Sequence, residues 1–286
     1  MKHSILILLT IFCAFTFFGC DKDEPTPSDP TTLSQQDIRN ACRKSPNRGK
    51  RIQIFGGSLS VRAMKTSYAD LLKSNLQVEV QFCGRGGAGY GINTIDGIVN
   101  LGAENGLEAV AANNCVPEQV NHYADPKADI YILWCSTNDY TASNPIGTVE
   151  SYSTADGYAT DALASQCGGL NYCIRSLHAL NPKAKIYIFD ALKFFANPGG
   201  YDKESAAVNS LGAKYYDYIV AQDAVAAHHE LPLLRQYDFA AFTKDNAALY
   251  YLADGYHLTA QGYETLAWYH LYCLATGKAY TGLITK

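Results

Sequence analysis

The sequence contains little charge and no concentration of basic residues. Asp, Glu, Lys and Arg together make up 17% of the 286 residues, and the formal net charge is −4. Because a nucleic-acid-binding surface needs a patch of Lys and Arg, we do not expect nucleic acid as a partner. The hydrophobic content of 48% is too high for a disordered or coiled-coil chain. The composition therefore predicts a folded protein with a full apolar core.

The sequence also lacks an apolar run long enough to span a bilayer. Its longest run, residues 5–18, falls short of the roughly 20 residues that a membrane-spanning helix needs. This run follows Lys2 and ends just before Cys20, after which residues 21–30 are acidic and then Pro-rich. The pattern resembles a bacterial lipoprotein signal, with Phe17 standing where such signals usually have Leu.

The resemblance implies a signal peptide over residues 1–19, a lipid attachment site at Cys20 and a flexible tether over residues 20–33. Ordinary secretion with a nearby cleavage site is the alternative. The acidic residues after Cys20 also resemble a signal for the outer face of the outer membrane. We therefore expect an extracytoplasmic protein anchored to a bacterial outer membrane, on its periplasmic or cell-surface face, that meets the membrane only through the lipid.

Cysteine and histidine spacings typical of zinc sites are lacking as well, and we expect no metal. Once Cys13 and Cys20 are set aside, seven cysteines remain, and an odd number cannot pair completely. Export permits disulfides, and Cys167 and Cys173 are spaced so that they could close a small loop. Cys135 directly follows an apolar run, so we expect it to be a buried, unpaired side chain.

Short apolar runs alternate with segments of helical periodicity. The runs are typical of buried parallel strands and lie at residues 51–55, 78–82, 130–134 and 186–189. Helices are predicted at residues 61–75, 159–180, 204–229 and 260–276, the last with Thr259 as its N-cap and Gly277 as its stop. The alternation predicts an α/β fold with a mainly parallel sheet. The length suits one large domain or two small ones, and because no composition shift marks a second, we predict one domain over residues 34–286.

Residues with catalytic potential follow the first two predicted strands, where functional groups gather in parallel α/β sheets. Ser58 follows two glycines at the junction of a strand and a helix, so it is either a nucleophile or an N-cap. Residues 83–91 are rich in Gly but lack the Walker ending of a phosphate-binding loop. A backbone amide of this loop is suited instead to stabilising an oxyanion.

Two further segments carry such residues. Asn138 follows the strand at residues 130–134, where its amide is either an oxyanion donor or part of a turn. Asp254 and His257 are three residues apart, directly before the last predicted helix. That spacing allows the carboxylate to fix the tautomer of the imidazole and to support its charged form.

The order and spacing of these segments resemble the SGNH/GDSL hydrolases, and the resemblance runs from residue 51 to about residue 268. It implies a three-layer α/β/α sandwich of the flavodoxin-like type, with a mainly parallel sheet of about five strands. It also implies that Ser58, His257 and Asp254 form a catalytic triad.

The same resemblance implies an oxyanion hole formed by Ser58, Gly87 and Asn138. Gly86 and Gly89 also fit the second of these positions, because the loop is so rich in Gly. One departure from the family is visible. Where the family motif is Gly-Asp-Ser-Leu, this sequence has Gly57 in place of the Asp. That change removes a polar group beside the nucleophile and marks either altered specificity or a decayed enzyme.

The activity implied is hydrolysis of a carboxylic ester through an acyl-enzyme intermediate, without metal or organic cofactor. Together with export, the resemblance suggests a carbohydrate esterase that removes acetyl or other short acyl groups from polysaccharide. Five aromatic side chains near the predicted site are candidates for stacking on sugar rings: Tyr90, Trp134, Tyr140, Tyr251 and Tyr256. A lipase or lysophospholipase of the same family is one alternative. An inactive surface glycan-binding protein on the same fold is the other.

Overall fold

A computed structural model of the chain describes residues 32–91, 97–150, 164–195 and 207–286. Residues 32–286 belong to one compact unit. The predicted signal peptide, the lipid attachment site Cys20 and nearly all of the predicted tether lie outside the described residues. Within the described ranges, no helix has both the length and the apolar composition needed to cross a membrane.

The centre of the unit is a sheet of five parallel strands. In the described residues the strands are β1 (Leu33–Ser34), β2 (Arg51–Gly56), β3 (Glu79–Phe82), β4 (Ile98–Leu101), β5 (Val110–Asn113), β6 (Ile130–Trp134), β7 (Lys185–Phe189), β8 (Leu233–Leu234) and β9 (Ile284–Thr285). The order in the central sheet is β3-β2-β6-β7-β8. Two small pairs accompany it, one antiparallel between β4 and β5 and one parallel between β1 and β9.

Helices pack on both faces of this sheet. Those in the described residues are α1 (Gln35–Lys44), α2 (Ser58–Met64), α3 (Ser67–Leu76), α4 (Val116–Tyr123), α5 (Asn138–Thr141), α6 (Gln166–Leu180), α7 (Tyr215–His228), α8 (Ala247–Tyr250) and α9 (Ala260–Thr276). The predicted α/β fold with a parallel sheet of about five strands is therefore confirmed.

The strand β6 is buried on both faces, which explains why its sequence is apolar without interruption, whereas the neighbouring β2 includes the buried polar Gln53. Along β6, Ile132 and Trp134 belong to the core on the side of α1, α3 and α9, whereas Tyr131 and Leu133 belong to the core on the side of α4, α6 and α7. Successive side chains of a strand point to opposite faces, so one apolar run supplies both cores. The result is a helix, sheet and helix sandwich.

The segments singled out for catalytic potential meet at one edge of the sheet. Because all five strands are parallel, their carboxyl ends lie along the same edge. Ser58 follows β2, the Gly-rich loop follows β3, and Asn138 follows β6. The loop with Asp254 and His257 reaches this edge from the start of α9.

Several predicted helices differ from those observed. The single helix predicted at residues 61–75 is wrong, because the chain forms α2 and α3 with a break at Thr66, whose hydroxyl caps α3 by accepting from the Tyr68 N–H. The helix predicted at residues 204–229 is observed only from Tyr215, after a turn in which Gly212 has a φ of 75°. The predicted boundaries of α9, its N-cap Thr259 and its stop Gly277 are confirmed.

Other boundaries also shift. The helix predicted at residues 159–180 begins at Gln166, where Ser165 caps it by accepting from the Gly168 N–H. Residues 159–163 of that prediction, and residues 204–206 of the other, lie outside the described residues.

The suggested pairing of Cys167 with Cys173 is wrong. Both lie on α6, six positions apart, with free and buried thiols. The same holds for every cysteine of the described residues: Cys42, Cys83, Cys115, Cys135, Cys167, Cys173 and Cys273. Burial raises the pKa of each of these thiols, so they remain protonated and behave as small apolar side chains.

Candidate active site

Ser58 is the first residue of α2, two positions after the end of β2. Its backbone N–H is one of the helix's first amides, which have no carbonyl partner within the helix. Gln119 on α4 holds the end of β2, because its oxygen accepts from the Gly56 N–H and its amide donates to the Gly56 carbonyl, both at 3.0 Å. Gln119 is fully buried, so this pair of bonds fixes the turn that presents Ser58.

Ser58, His257 and Asp254 form a continuous hydrogen-bonded chain. Ser58 Oγ lies 2.9 Å from His257 Nε2, and His257 Nδ1 lies 2.7 Å from Asp254 Oδ2. An ionised Asp254 accepts from a protonated Nδ1, which leaves Nε2 of the neutral ring with a lone pair toward the serine hydroxyl. This is the tautomer that a general base needs.

The carboxylate of Asp254 is held in its charged form by its own loop. Its Oδ1 accepts hydrogen bonds from the backbone N–H groups of Tyr256 and His257, both at 2.9 Å. Partial burial by itself raises the pKa of Asp254, but the hydrogen bonds from His257 and Tyr256 outweigh it and lower the pKa to about 2. Asp254 is therefore charged at neutral pH and can balance a positive charge on His257.

Gly87 lies at the third position of a tight turn after β3. The Ala88 N–H closes the turn by donating to the Arg85 carbonyl at 3.2 Å. Gly87 has a φ of 79°, as the third position of a type II turn requires, and a residue with a side chain would be strained there. The turn places Gly87 in the wall of the cleft that contains Ser58.

The other two glycines considered for this position have different surroundings. Gly86 also lines the cleft, but its N–H donates to Glu104 Oε2 at 3.1 Å. Gly89 is buried, and its carbonyl accepts from the Val116 N–H at 2.9 Å. Gly86 and Gly87 thus both line the cleft with Ser58, whereas Gly89 lies outside its lining, and Gly87 stays the predicted oxyanion donor.

Asn138 begins α5, and its side-chain amide faces the glycine beside the nucleophile. Asn138 Nδ2 donates to the Ala88 carbonyl at 2.8 Å, and an amide nitrogen has a second hydrogen to offer a ligand. A Cβ at Gly57 would lie 2.7 Å from Asn138 Nδ2 and 3.0 Å from the Ala88 oxygen. The Asp of the family motif would displace the Asn138 amide here, which gives a steric reason for the glycine.

A buried carboxylate next to Asn138 anchors the Gly-rich loop. Asp139 accepts from the backbone N–H groups of Tyr90 and Gly91 at 2.9 and 2.8 Å, and from the Asn144 side chain at 2.9 Å. Burial raises the pKa of Asp139, and these hydrogen bonds offset part of that effect. Asp139 thus ties the segment of Asn138 to the loop that carries Gly87.

The cleft above Ser58 has a volume of about 780 Å³. Most of its lining residues have a polar or charged side chain, and among the described lining residues only Val61 has a purely hydrocarbon one. The lining consists of Ser58, Val61, Arg62, Lys65, Gly86, Gly87, Glu104, Thr137, Asn138, Thr141, Tyr256 and His257.

The proposed sugar-stacking role is wrong for four of the five aromatic residues. Tyr90, Trp134, Tyr140 and Tyr251 are buried in the two cores, where no ligand reaches a ring face. Tyr256 alone of the five lines the cleft, half-buried and with its ring stacked on Phe194. The position of an aromatic residue near a motif in the sequence therefore did not show whether its ring lies in the core or in the cleft.

Several site residues were not identified from the sequence. Gln119 and Asp139 act on the site through backbone groups, and only the tertiary structure reveals those contacts. Arg62 and Lys65 carried a usable signal, because they follow Ser58 by four and seven residues on the same helix. Among the described residues, no group of three or more His, Cys, Asp or Glu side chains is arranged to hold a metal ion.

Comparison with known proteins supplies an independent finding. The model of the GDSL-like lipase/acylhydrolase family matches residues 54–265. A search of curated proteins gives no match.

Solved structures share the fold. A protein from Lactobacillus plantarum aligns with a TM-score of 0.57 and 22% identity, covering 77% of this chain and 93% of that one. A possible lipase from Chitinophaga pinensis aligns with a TM-score of 0.52 and 16% identity, covering 76% and 95%.

Proposed function

Because the chain belongs to the GDSL-like lipase/acylhydrolase family and is thus an ester-bond hydrolase, we propose that it is a serine esterase acting on acylated polysaccharide. Its reaction removes acetyl or other short acyl groups. The observation that carries this proposal is the hydrogen-bonded chain of Ser58, His257 and Asp254 at the edge of a polar cleft.

Acylation begins with the proton of Ser58. His257 Nε2 takes this proton as the serine oxygen attacks the carbonyl carbon of the ester, and Asp254 balances the imidazolium that forms. The negative oxygen of the tetrahedral intermediate is met by the N–H groups of Ser58 and Gly87 and by the Asn138 amide. When the intermediate collapses, the bond between the acyl carbon and the sugar oxygen breaks, His257 gives its proton to that oxygen, and the acyl group stays on Ser58.

Deacylation repeats these steps with water in place of the serine. His257 removes a proton from a water molecule, whose oxygen attacks the acyl carbonyl in the same oxyanion hole. Collapse then breaks the bond to Ser58 Oγ, which regains its proton from His257, and the carboxylic acid leaves. All the proton transfers are made by one imidazole, held in one tautomer by Asp254.

The lining of the cleft supports a short acyl group on a hydrophilic substrate. A long acyl chain needs an extended apolar groove, and Val61 alone provides a hydrocarbon side chain among the described lining residues. Hydroxyl groups are instead frequent, from Thr137, Thr141 and Tyr256. These groups can exchange hydrogen bonds with the hydroxyls of a sugar.

The test is hydrolysis of p-nitrophenyl acetate, butyrate and octanoate and release of acetate from acetylated polysaccharide. We expect a preference for acetate, and a loss of kcat of roughly 10⁴-fold or more in Ser58→Ala and His257→Ala. The matched controls are Ser74→Ala and His178→Ala, both on exposed helix positions, which keep full activity. Thermal melting of each variant checks that it is folded.

Other outcomes would replace the proposal. Faster hydrolysis of octanoate than of acetate would favour a lipase. A folded wild-type protein that binds acetylated polysaccharide but hydrolyses none of the esters would favour a glycan-binding protein.

We also propose that the protein is held at the bacterial outer membrane through a lipid on Cys20. The support is the sequence pattern around this cysteine. In cell fractionation, the wild-type protein should sediment with membranes and release into detergent, whereas a Cys20→Ala variant should not carry the lipid. Equal membrane association of the two would contradict the proposal.

A further inference from the structure

The helix that carries the nucleophile also carries two cations into the cleft. Ser58, Arg62 and Lys65 lie at positions i, i+4 and i+7 along α2 and its C-cap, so they share one face of the helix. All three line the cleft. By helix geometry, the Cβ of Arg62 is about 5–6 Å from that of Ser58, and Lys65 is about 10 Å along the helix axis.

Neither cation is neutralised by an acidic side chain. Arg62 and Lys65 are exposed and form no ion pair with the residues that the structure describes. The carboxylate in the lining, Glu104, is already engaged by the Arg85 guanidinium and the Gly86 N–H. Asp254 keeps its negative charge beside the neutral His257 ring. The cations Arg62, Lys65 and Arg85 still outnumber Glu104 and Asp254 among the described charged groups at the cleft, in a protein whose net charge is −4.

A purely structural role accounts for only part of this arrangement. Cations near the C-terminus of a helix interact favourably with its dipole, and Arg62 lies in the last turn of α2. That effect is the same on any face of the helix. It does not explain why both cations lie on the face of Ser58 rather than on the outer surface.

We propose, on the basis of the esterase function above, that the substrate is an acylated acidic glycan and that Arg62 and Lys65 bind its carboxylate. The spacing from Ser58 suits a carboxylate on the acylated sugar or on its neighbour. The charges attract an anionic polymer to the cleft and orient it with the ester at Ser58. The hydroxyl groups of Thr137, Thr141 and Tyr256 in the lining suit a sugar that carries a carboxylate better than a phospholipid, whose long acyl chain would need an extended apolar groove.

The experiment compares two substrates that differ only at one carboxyl group, which is charged in the first and neutral in the second. They are an O-acetylated methyl glycoside of a uronic acid and the same compound with its carboxyl group methylated. Acetate release gives kcat and KM for each. We expect the purified protein to prefer the acid by roughly three- to tenfold in kcat/KM, the size typical of solvent-exposed charge pairs. The preference lies in KM, and it shrinks at about 1 M salt, where the screening length falls to about 3 Å.

The variants distinguish binding by Arg62 and Lys65 from a general effect of the net charge of the protein. Arg62→Gln with Lys65→Gln should abolish the preference for the acid. The exchange Arg62→Lys with Lys65→Arg keeps both charges and should retain it. The matched control, Arg43→Gln with Lys44→Gln, removes the same charge from α1, outside the cleft lining, and should also retain it.

The possible results distinguish the two proposals. Equal kcat/KM for the acid and its methyl ester in an active protein would overturn the acidic-glycan inference and leave the esterase proposal standing. Hydrolysis of neither, and of no p-nitrophenyl ester, would overturn both. A lysophospholipid hydrolysed faster than the uronate, with this activity lost in the double Gln variant, would assign the cations to a phosphate and overturn the glycan.

Discussion

Replacing Gly57 by Ala should lower kcat about 100-fold without unfolding the protein. The backbone at Gly57, with φ of −88° and ψ of −158°, suits any residue, so the change introduces no backbone strain. The added Cβ would lie 2.7 Å from Asn138 Nδ2, whereas ordinary contacts begin at 3.4 Å. The Asn138 amide must therefore move by about 0.7 Å, a distance comparable to the tolerance of a catalytic constellation.

The size of the effect follows from that displacement. Loss of one oxyanion donor costs roughly 10²–10³ in kcat, and misplacement by about 1 Å costs on the order of 10². We expect kcat on p-nitrophenyl acetate to fall by this amount, with KM nearly unchanged, because the amide acts on charge that develops only in the transition state.

A double-mutant cycle identifies the target of the added methyl group. If Gly57→Ala acts through the Asn138 amide, adding it to Asn138→Ala should cost little beyond Asn138→Ala alone. If the two act independently, their effects should multiply to roughly 10⁴-fold or more. Full activity of Gly57→Ala, or multiplication of the two effects, would refute the reasoning. Thermal melting of the three variants identifies any loss that comes from unfolding.

Three further predictions concern the frame of the site and the core. Gln119→Leu leaves the buried Gly56 N–H unpaired, so the free energy of unfolding should fall by about 1–3 kcal/mol in urea denaturation, together with kcat. Burial holds the pKa of His270 well below 6.5, so the unfolded state alone takes up its proton as the pH falls below 6.5. Stability should therefore decline by up to about 1.4 kcal/mol per pH unit, and His270→Gln should flatten this slope. The seven described cysteines should not react with a thiol reagent in the native protein and should all react in denaturant; rapid native labelling would contradict their burial.

The sequence predicted the central strands well because a buried parallel strand is a continuous apolar run. The predicted first and last residues of β2, β6 and β7 agree with the structure within one residue. The strand β8 has only two residues, which is too short for any pattern. The break at Thr66 was missed because the apolar spacing continues across it, and the two helices bury their side chains against the same core.

The site itself was predictable by residue type but not by contact. The segments of Ser58 and Asn138 lie together because parallel strands end at one edge, which the strand pattern already implied, whereas His257 reaches this edge from the loop before α9. The surroundings of the neighbouring glycines were not predictable, because only the structure shows that Gly86 and Gly87 line the cleft while Gly89 is buried. From the sequence alone, Gly57 indicated only the loss of the Asp of the family motif. The structure gives a steric reason for the glycine, because a Cβ at this position would collide with the Asn138 amide.

Two backbone segments near the site are held by side chains that the chemistry does not use. Gln119 binds both backbone groups of Gly56, and Asp139 binds two amides of the Gly-rich loop. These two residues are fully buried, so their hydrogen bonds are shielded from water and define one position for the backbone. The predicted oxyanion donors around Ser58 thus lie on backbone segments that are fixed before any substrate binds, which is what electrostatic stabilisation of an oxyanion requires. The exposed cations Arg62 and Lys65 differ from this frame, because their long side chains can adapt to the position of a carboxylate on the proposed glycan substrate.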